Sequence, residues 1–476
     1  EMKALADLEA SYFSDVETAV IRGDKNNRLS ICFLPFRKIN NQLVKVVDYE
    51  VTYTATSKPE AYSSKSKGVH VSSSALSGKG WHKMSVSGSG IYKITPAFLS
   101  ENNISKESVP ISSLRIAGNG TGMLPQANNI SRPDDVLDVP MFVNDVNNNG
   151  TFDGNDYVLF FARGPHDDWK WAQPSNTFQH QINIYRDLNY YFISVENGGG
   201  ATVQNDDFQG VGSVLVNTFD DYAYVDEENE NLQGTGRKWM GDLFDITLQY
   251  LKNFGFANVD KSEPAKVHLV AVARSSTANT RMLVKQGGQV VISKTFDRFP
   301  TSSDYPDYVK EIDERGTFNV SSDNFVLEVS YDNTANPSGI AWLDYIEVQV
   351  RRNLAYNGKA MLFRDGRSVQ AGQVAQFNIT SAPSDLKVWR VTDHNNVEEV
   401  SLNVSGNVAT FSAPTDKLEE YIAFQGSVFE SPAYVGAISP QDIHGASTPE
   451  MVIITHPTFL SASEELAAFH EEADGL

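Results

Sequence analysis

Cysteine is almost absent: Cys32 stands alone among 476 residues. That excludes an internal disulfide and any zinc or iron–sulfur centre built on several thiolates. Positive charge is short as well, with 39 Lys and Arg against 60 Asp and Glu and a net charge of −21. A surface of that sign repels nucleic-acid phosphates and anionic lipid. No apolar run reaches about 18 residues, so no helical membrane span is expected. Glu1-Met2-Lys3 does not open the basic, apolar and small-residue series of a secretory signal, which reads as a chain that begins after processing or was cut. The nine histidines contain no H-E-x-x-H and no close pairing with cysteine, leaving a zinc hydrolase without support. Internal repeats, heptads and low-complexity tracts are missing too.

What is present is enough apolar material for several cores, 41% hydrophobic with 11% aromatic, which argues against global disorder. At roughly 150 residues per domain the length suggests about three or four. Strand and turn patterns dominate. Val47, Tyr49, Val51, Tyr53 and Ala55 alternate with polar residues, and Leu29 to Leu34 forms a second apolar stretch stopped by Pro35. These give an N-terminal β unit with a Ser/Lys-rich linker over residues 1–75. A β-rich unit over 76–215 starts with an expected hairpin, Trp81 to Ile94, turning at Gly88-Ser89. Thr95 before Pro96 is an N-cap signal for a short helix. Further strands are expected near 114–117, 157–161 and 190–194.

A jelly-roll-like sandwich is expected over 216–355, from alternating stretches at 267–273, 280–285, 290–295, 324–331 and 342–350. A small immunoglobulin-like unit follows over 356–430, with strands near 375–379, 387–391, 408–412 and 420–424. From 431 to 476 the pattern changes. Met451 to Thr455 is a continuous apolar run, the mark of a strand buried on both faces. Ser461 and Glu464 form a capping box for a helix that lines up Leu466, Phe469 and Ala473. The expected fold class is mainly β: several β-sandwich or jelly-roll-like domains in series, ending in the first βα unit of an α/β domain whose remainder is missing.

The sharpest chemical signal is Asp145, Asn147, Asn149, Asp153 and Asp156, at positions 1, 3, 5, 9 and 12 of a loop with Gly150 at position 6. Calcium takes six to eight hard oxygen ligands, and the position-6 glycine permits the turn that collects them. Thr151 would add its backbone carbonyl. Asp156 in place of glutamate resembles the dockerin-type loop. The bland alternative is an Asn/Asp/Gly surface turn. The absence of a flanking helix pair points to a structural staple for Ca2+ rather than a sensor.

Cys32 sits in an apolar strand, where thiols are usually inert. His444 and His456 flank the terminal apolar run and read as ordinary histidines. Gly118, Gly120 and Gly122 fail the dinucleotide fingerprint because Pro125 follows and no helix starts there. Trp169, Trp171 and Tyr185 could form a sugar-stacking platform, although such aromatics more often anchor a core or loop. Asp226 to Glu230 reads as a solvated acidic loop, with a second cation site as the weaker option.

Taken in order, several of these segments resemble one family. Gly80-Trp81 through Ile91-Tyr92, Gly118 through Pro125, the loop from Asp145 into Tyr157–Phe161 and Gly164-Pro165, Gly236-Arg237 through Trp239 to Asp242, Val388-Trp389, and Gln441 to His444 with Pro449 to Thr455, Phe459-Leu460 and His470 resemble gingipain-like cysteine peptidases of the PorU type. These are sortases, or C-terminal signal peptidases, of type IX secretion. Met240 and Asp242 depart from the family pattern.

The resemblance implies a β-rich N-terminal region leading into a caspase-like peptidase domain. In the family a Cys–His dyad cleaves cargo before its C-terminal signal domain. Water or an amine of anionic lipopolysaccharide then resolves the thioester, at the cell surface beside an outer-membrane β-barrel shuttle. Neither Cys32 nor His444 or His456 matches the dyad's context, so no catalytic residue is assigned in this chain. The competing readings are a calcium-stabilised adhesin or carbohydrate-binding protein and an inhibitory pro-segment of a secreted peptidase.

Overall fold

The computed structural model describes residues 16–22, 27–33, 36–39 and 42–45, then 71–475 except 121, 128, 235, 300–307 and 427–428. The chain divides into two compact units, residues 1–69 and 70–476. In the first, Val16–Arg22 pairs antiparallel with Asn27–Phe33, setting Cys32 opposite Glu17, and Phe36–Ile39 pairs with Gln42–Lys45. The strand expected at 29–34 ends at Phe33, before Pro35. The alternating stretch 47–55 and the linker up to residue 70 lie outside the described residues.

The second unit is mostly β. Its first domain packs a four-stranded sheet, in the order Ala433–Ala437, Trp81–Val86, Asn189–Ser194, Arg115–Ala117, against a three-stranded sheet of Gly90–Ile94, Tyr157–Ala162 and Met141–Asn144. Met84, Ile94, Ile116, Phe160 and Tyr191 fill the space between them. Trp81–Val86 and Gly90–Ile94 therefore do not form the expected hairpin but part at Gly88-Ser89 into facing sheets. The reason lies in the second strand, which is buried on both sides. Tyr92 joins the core of this domain, while its neighbour Ile91 joins a second cluster with Trp389, Val391, Ile422 and Phe424. Pro96–Glu101 is helical, and the Thr95 hydroxyl accepts from the Phe98 amide at 3.2 Å as its N-cap.

The next sandwich sets Thr218–Asp226, Ile340–Asn353, Pro264–Arg274 and Lys310–Asn319 side by side over Gln249–Gly255, Asn324–Asp332, Thr280–Gln286 and Gln289–Phe296. One parity of the strands, Val267, Leu269, Ala271 and Ala273 with Ile346, Val348 and Val350, enters its core. The last sandwich joins Lys387–Arg390, Glu420–Phe424 and Met361–Arg364 in one sheet and Val374–Thr380 with Val408–Pro414 in the other.

Two segments belong elsewhere than the expected boundaries put them. Gln204–Asp206, placed by sequence in the 76–215 unit, and Val214–Val216, across its expected boundary with the 216–355 unit, add parallel edge strands to the last sandwich, one in each sheet. Ala433–Ala437, placed in the terminal 431–476 unit, returns to pair with Trp81–Val86.

The terminal helix forms over Leu460–Asp474, but Ser461 lies inside its first turn and the helix has no side-chain N-cap bond. The capping side chain comes one turn earlier, where His456 Nδ1 accepts from the Thr458 amide at 3.2 Å. Met451 to Thr455 has no strand partner among the described residues. A strand exists only as part of a ladder, and apolar composition does not supply one.

Candidate functional site

The loop Asp145–Asp156 links Met141–Asn144 to Tyr157–Ala162 through the short Thr151–Phe152 strand. Asn148, Gly150 and Gly154 take left-handed backbone conformations, with φ of 54°, 73° and 51°, which wind the chain tightly. Asp145 accepts from the amides of Asn149 at 3.2 Å and Gly150 at 2.8 Å. The Asn147 and Asn149 side chains each donate to Asp153, at 3.3 and 3.1 Å, and Asn149 Oδ1 accepts from the Thr151 amide. Asp156 is buried and braces the loop from beneath, taking the amides of Val146 and Asp153 at 2.8 and 2.9 Å.

The turn thus gathers Asp145, Asn147, Asn149 and Asp153 on its exposed side, an oxygen-only donor set that fits a hard cation and not zinc. Each oxygen of Asp145 and Asp153 keeps a second lone pair beyond the one hydrogen bond it accepts within the loop. Among the described residues no group of three or more His, Cys, Asp or Glu is arranged as a metal centre.

Sequence reading missed the feature that organises the molecule, a charged junction where three domains meet. Its lead element is a hairpin, Asp168–Ala172 with Thr177–Gln181, turned by Asn176 at φ 44°. The Pro174-Ser175-Asn176 turn between two aromatic pairs was the available signal. Trp169 lies against Tyr222, ring centroids 3.6 Å apart, and Trp171 donates to Asn176 at 2.8 Å. Trp169 is thus taken up by the neighbouring sandwich, Trp171 is half-buried and bonded within its own hairpin, and Tyr185 is 76% exposed, so the three do not share one exposed platform.

Beneath the hairpin Arg163 and Arg364 converge on Glu420, each at 2.6 Å. Burial alone would raise the Glu420 pKa, but the two guanidiniums hold it down to about 2. Asp220, fully buried, accepts from Arg351 at 3.0 Å and from the Gly366 amide and Asn176 side chain. A cavity of about 330 Å³ opens here, lined by Arg163, Asp168, Trp169, Tyr222, Arg364 and His394. Burial and then Arg163 push the His394 imidazole down to about 4.

The other candidates fall apart from this junction. Gly120 is held at φ 50°, where an added Cβ would sit 2.4 Å from the Tyr191 hydroxyl. His444 bonds the Asp134 carbonyl at 3.0 Å, and His456 caps the terminal turn. Asp226 is not a solvated loop residue: its side chain is buried against His180 at 2.8 Å. No helix among the described residues is long and apolar enough to cross a membrane.

These features define a class: a multidomain β protein whose sandwiches are locked by a buried charged junction and fed back on themselves by a returning strand. No family model matches the chain, and no curated protein matches it. Among solved structures it is similar to dimeric latent PorU from Porphyromonas gingivalis, with a TM-score of 0.73 at 22% identity over 86% of this chain and 37% of that one. The fold is that of a PorU-like β-rich region, and the chain spans 37% of the length of that protein.

Two weaker likenesses are the CBM36-1 domain of a multidomain xylanase from the hindgut metagenome of Trinervitermes trinervoides (13% identity, 28% of this chain and 94% of that one, TM-score 0.18) and the insecticidal delta-endotoxin Cry8Ea1 from Bacillus thuringiensis (15% identity, 50% and 41%, TM-score 0.19). At these TM-scores they carry no argument.

Proposed function

We propose that this chain is the N-terminal, non-catalytic region of a cell-surface sortase. The whole protein would remove C-terminal signal domains from type IX secretion cargo and attach the cargo to anionic lipopolysaccharide through a cysteine thioester. The region's part is to hold the peptidase domain and to offer docking surfaces for cargo signal domains, an outer-membrane β-barrel shuttle and other secretion components on the outer face of the cell. The observation that carries this reading is the likeness to PorU along 86% of the chain, with a TM-score of 0.73. The glycan-binding alternative loses one of its aromatics, because Trp169 packs against Tyr222.

We also propose that the loop holds Ca2+ as a structural staple through Asp145, Asn147, Asn149, the Thr151 carbonyl, Asp153 and Asp156. The oxygen-only donor set and the turn around Gly150 support it.

The test of the sortase reading is complementation. The gene that encodes this chain is placed in a type IX-secreting bacterium deleted for its sortase. Restored cleavage of cargo signal domains, lost again when codons 76–430 are deleted, is the expected result. Cargo that stays unprocessed with the intact gene, or peptide cleavage by the purified 476-residue chain alone, overturns the proposal.

A further inference from the structure

Across the outer face of the 218–353 sandwich, five side chains alternate acid and imidazole: Asp226, His180, Glu347, His268, Asp313. Asp226, Glu347, His268 and Asp313 come one from each of the four strands of a single sheet, in the order in which those strands lie side by side. His180 alone belongs to the hairpin of the preceding domain. Its Nε2 is 2.8 Å from Asp226 and its Nδ1 is in close contact with Glu347, whose other oxygen is 2.8 Å from His268 Nδ1. His268 Nε2 completes the series at 2.8 Å from Asp313.

The chemistry of this arrangement is asymmetric. Ionised carboxylates only accept hydrogen bonds, and a neutral imidazole has one N–H to donate. With its side chain 3% exposed and a carboxylate at each ring nitrogen, His180 satisfies both only as the imidazolium. A neutral ring would leave a lone pair facing a buried carboxylate, the costly case of a buried ion without its partner. We propose that His180 is a proton-dependent latch, clamping the 168–181 hairpin to the neighbouring sandwich while charged and releasing it on losing that proton.

The groups facing His180 favour the charged ring from nearly every side. Glu347 and Tyr345 come from 340–353, Asp226 and Tyr224 from 218–226, with Glu228 hydrogen-bonded just beyond. His268 comes from 264–274, and Asp313 with its bound Arg315 from 310–319. The hairpin itself contributes the neutral Trp169 ring, 5.8 Å away. Burial alone would strip the proton, but Asp226 and Glu347 outweigh it and hold the ring up to about 9. Because the folded value lies above the ordinary 6.5, the stabilisation is fully present below pH 6.5 and is lost as pH rises through about 9. The latch is closed at neutral pH and opens on the alkaline side.

Two readouts on the intact chain test this. Nitrogen-15 spectra of the histidine rings, with His180→Gln identifying the missing signal, should show both His180 nitrogens protonated at pH 7.5 and one transition near pH 9. Hydrogen-exchange protection of residues 168–181, corrected for intrinsic rates, should fall more than about tenfold between pH 7.5 and 9.5. His180→Gln should already show that loss at pH 7.5, with protection of the 361–424 sandwich unchanged. A His180 ring that is neutral at pH 7.5 overturns the proposal, as does hairpin protection that does not change with pH. Should the variant fail to fold, the wild-type titration decides alone.

Discussion

Arg163 donates to Glu420 at 2.6 Å across 257 residues of sequence, a contact between the first β domain and the last sandwich. Arg364 reaches the other oxygen of the same carboxylate from within the last sandwich. Glu420→Gln leaves two buried guanidiniums facing an amide. Removing one member of a buried ion network costs about 3–5 kcal/mol, so the variant should lose stability on that scale in urea unfolding. The wild-type interaction has a pH signature of the depressed kind. Glu420's folded pKa near 2 lies below the ordinary 4.5, so its contribution is present above pH 4.5 and lost as pH falls toward 2. The variant should show a shallower acid limb over that window.

Trp389 reports on the apolar side of the same contact. It is completely buried among Ile91, Leu159 and Phe161 of the first domain and Ile422 and Phe424 of its own, and its indole donates to Glu399 at 3.2 Å. Trp389→Ala should cost about 3–5 kcal/mol, while Trp389→Phe should recover much of that. If the cluster is a shared core, differential scanning calorimetry of the alanine variant should resolve separate transitions for domains that melt together in the wild type.

Calcium at the 145–156 loop makes a concentration-dependent prediction. Binding to the folded state alone stabilises by about 2.7 kcal/mol at a hundredfold excess over Kd. Millimolar Ca2+ should raise the melting temperature, EGTA should lower it, and Asp145→Ala should abolish the difference. Mg2+ should substitute poorly, since the multi-oxygen turn suits the larger ion. A melting temperature indifferent to both Ca2+ and EGTA would leave the loop a self-bonded turn.

His394 supplies a pH effect of the opposite kind to that of His180. Burial and the neighbouring Arg163 hold it near 4, below the ordinary 6.5. The unfolded chain therefore binds a proton that the folded chain refuses between those values. Stability should drop as pH falls from 6.5 to 4, and His394→Gln should flatten that drop in denaturant midpoints measured across the range.

Legibility in the sequence followed the range of the interaction. The Thr95-Pro96 cap forms because a hydroxyl and an amide three residues apart meet whatever surrounds them. The strands at 264–274 and 340–353 follow from the alternation of Val267 to Ala273 and Trp342 to Val350, which marks a buried face. The tight turn at Gly150 is likewise a local matter. The expected hairpin at Trp81 to Ile94 shows the limit, because period-2 patterning names the buried face and not the strand that covers it.

What the sequence by itself determined is a set of β segments, their turns, one compact oxygen-lined loop and a terminal helix, legible from patterns and contacts a few residues apart. Tertiary structure alone decided which sheet receives Gly90–Ile94, why 204–216 and 433–437 join distant partners, and how Asp226 leaves solvent to meet His180. Those outcomes depend on apolar faces, ladder edges and charges finding partners tens to hundreds of residues away. A carboxylate in the sequence carries no mark of its partner, because the energy that pairs it appears only when folding removes both from water.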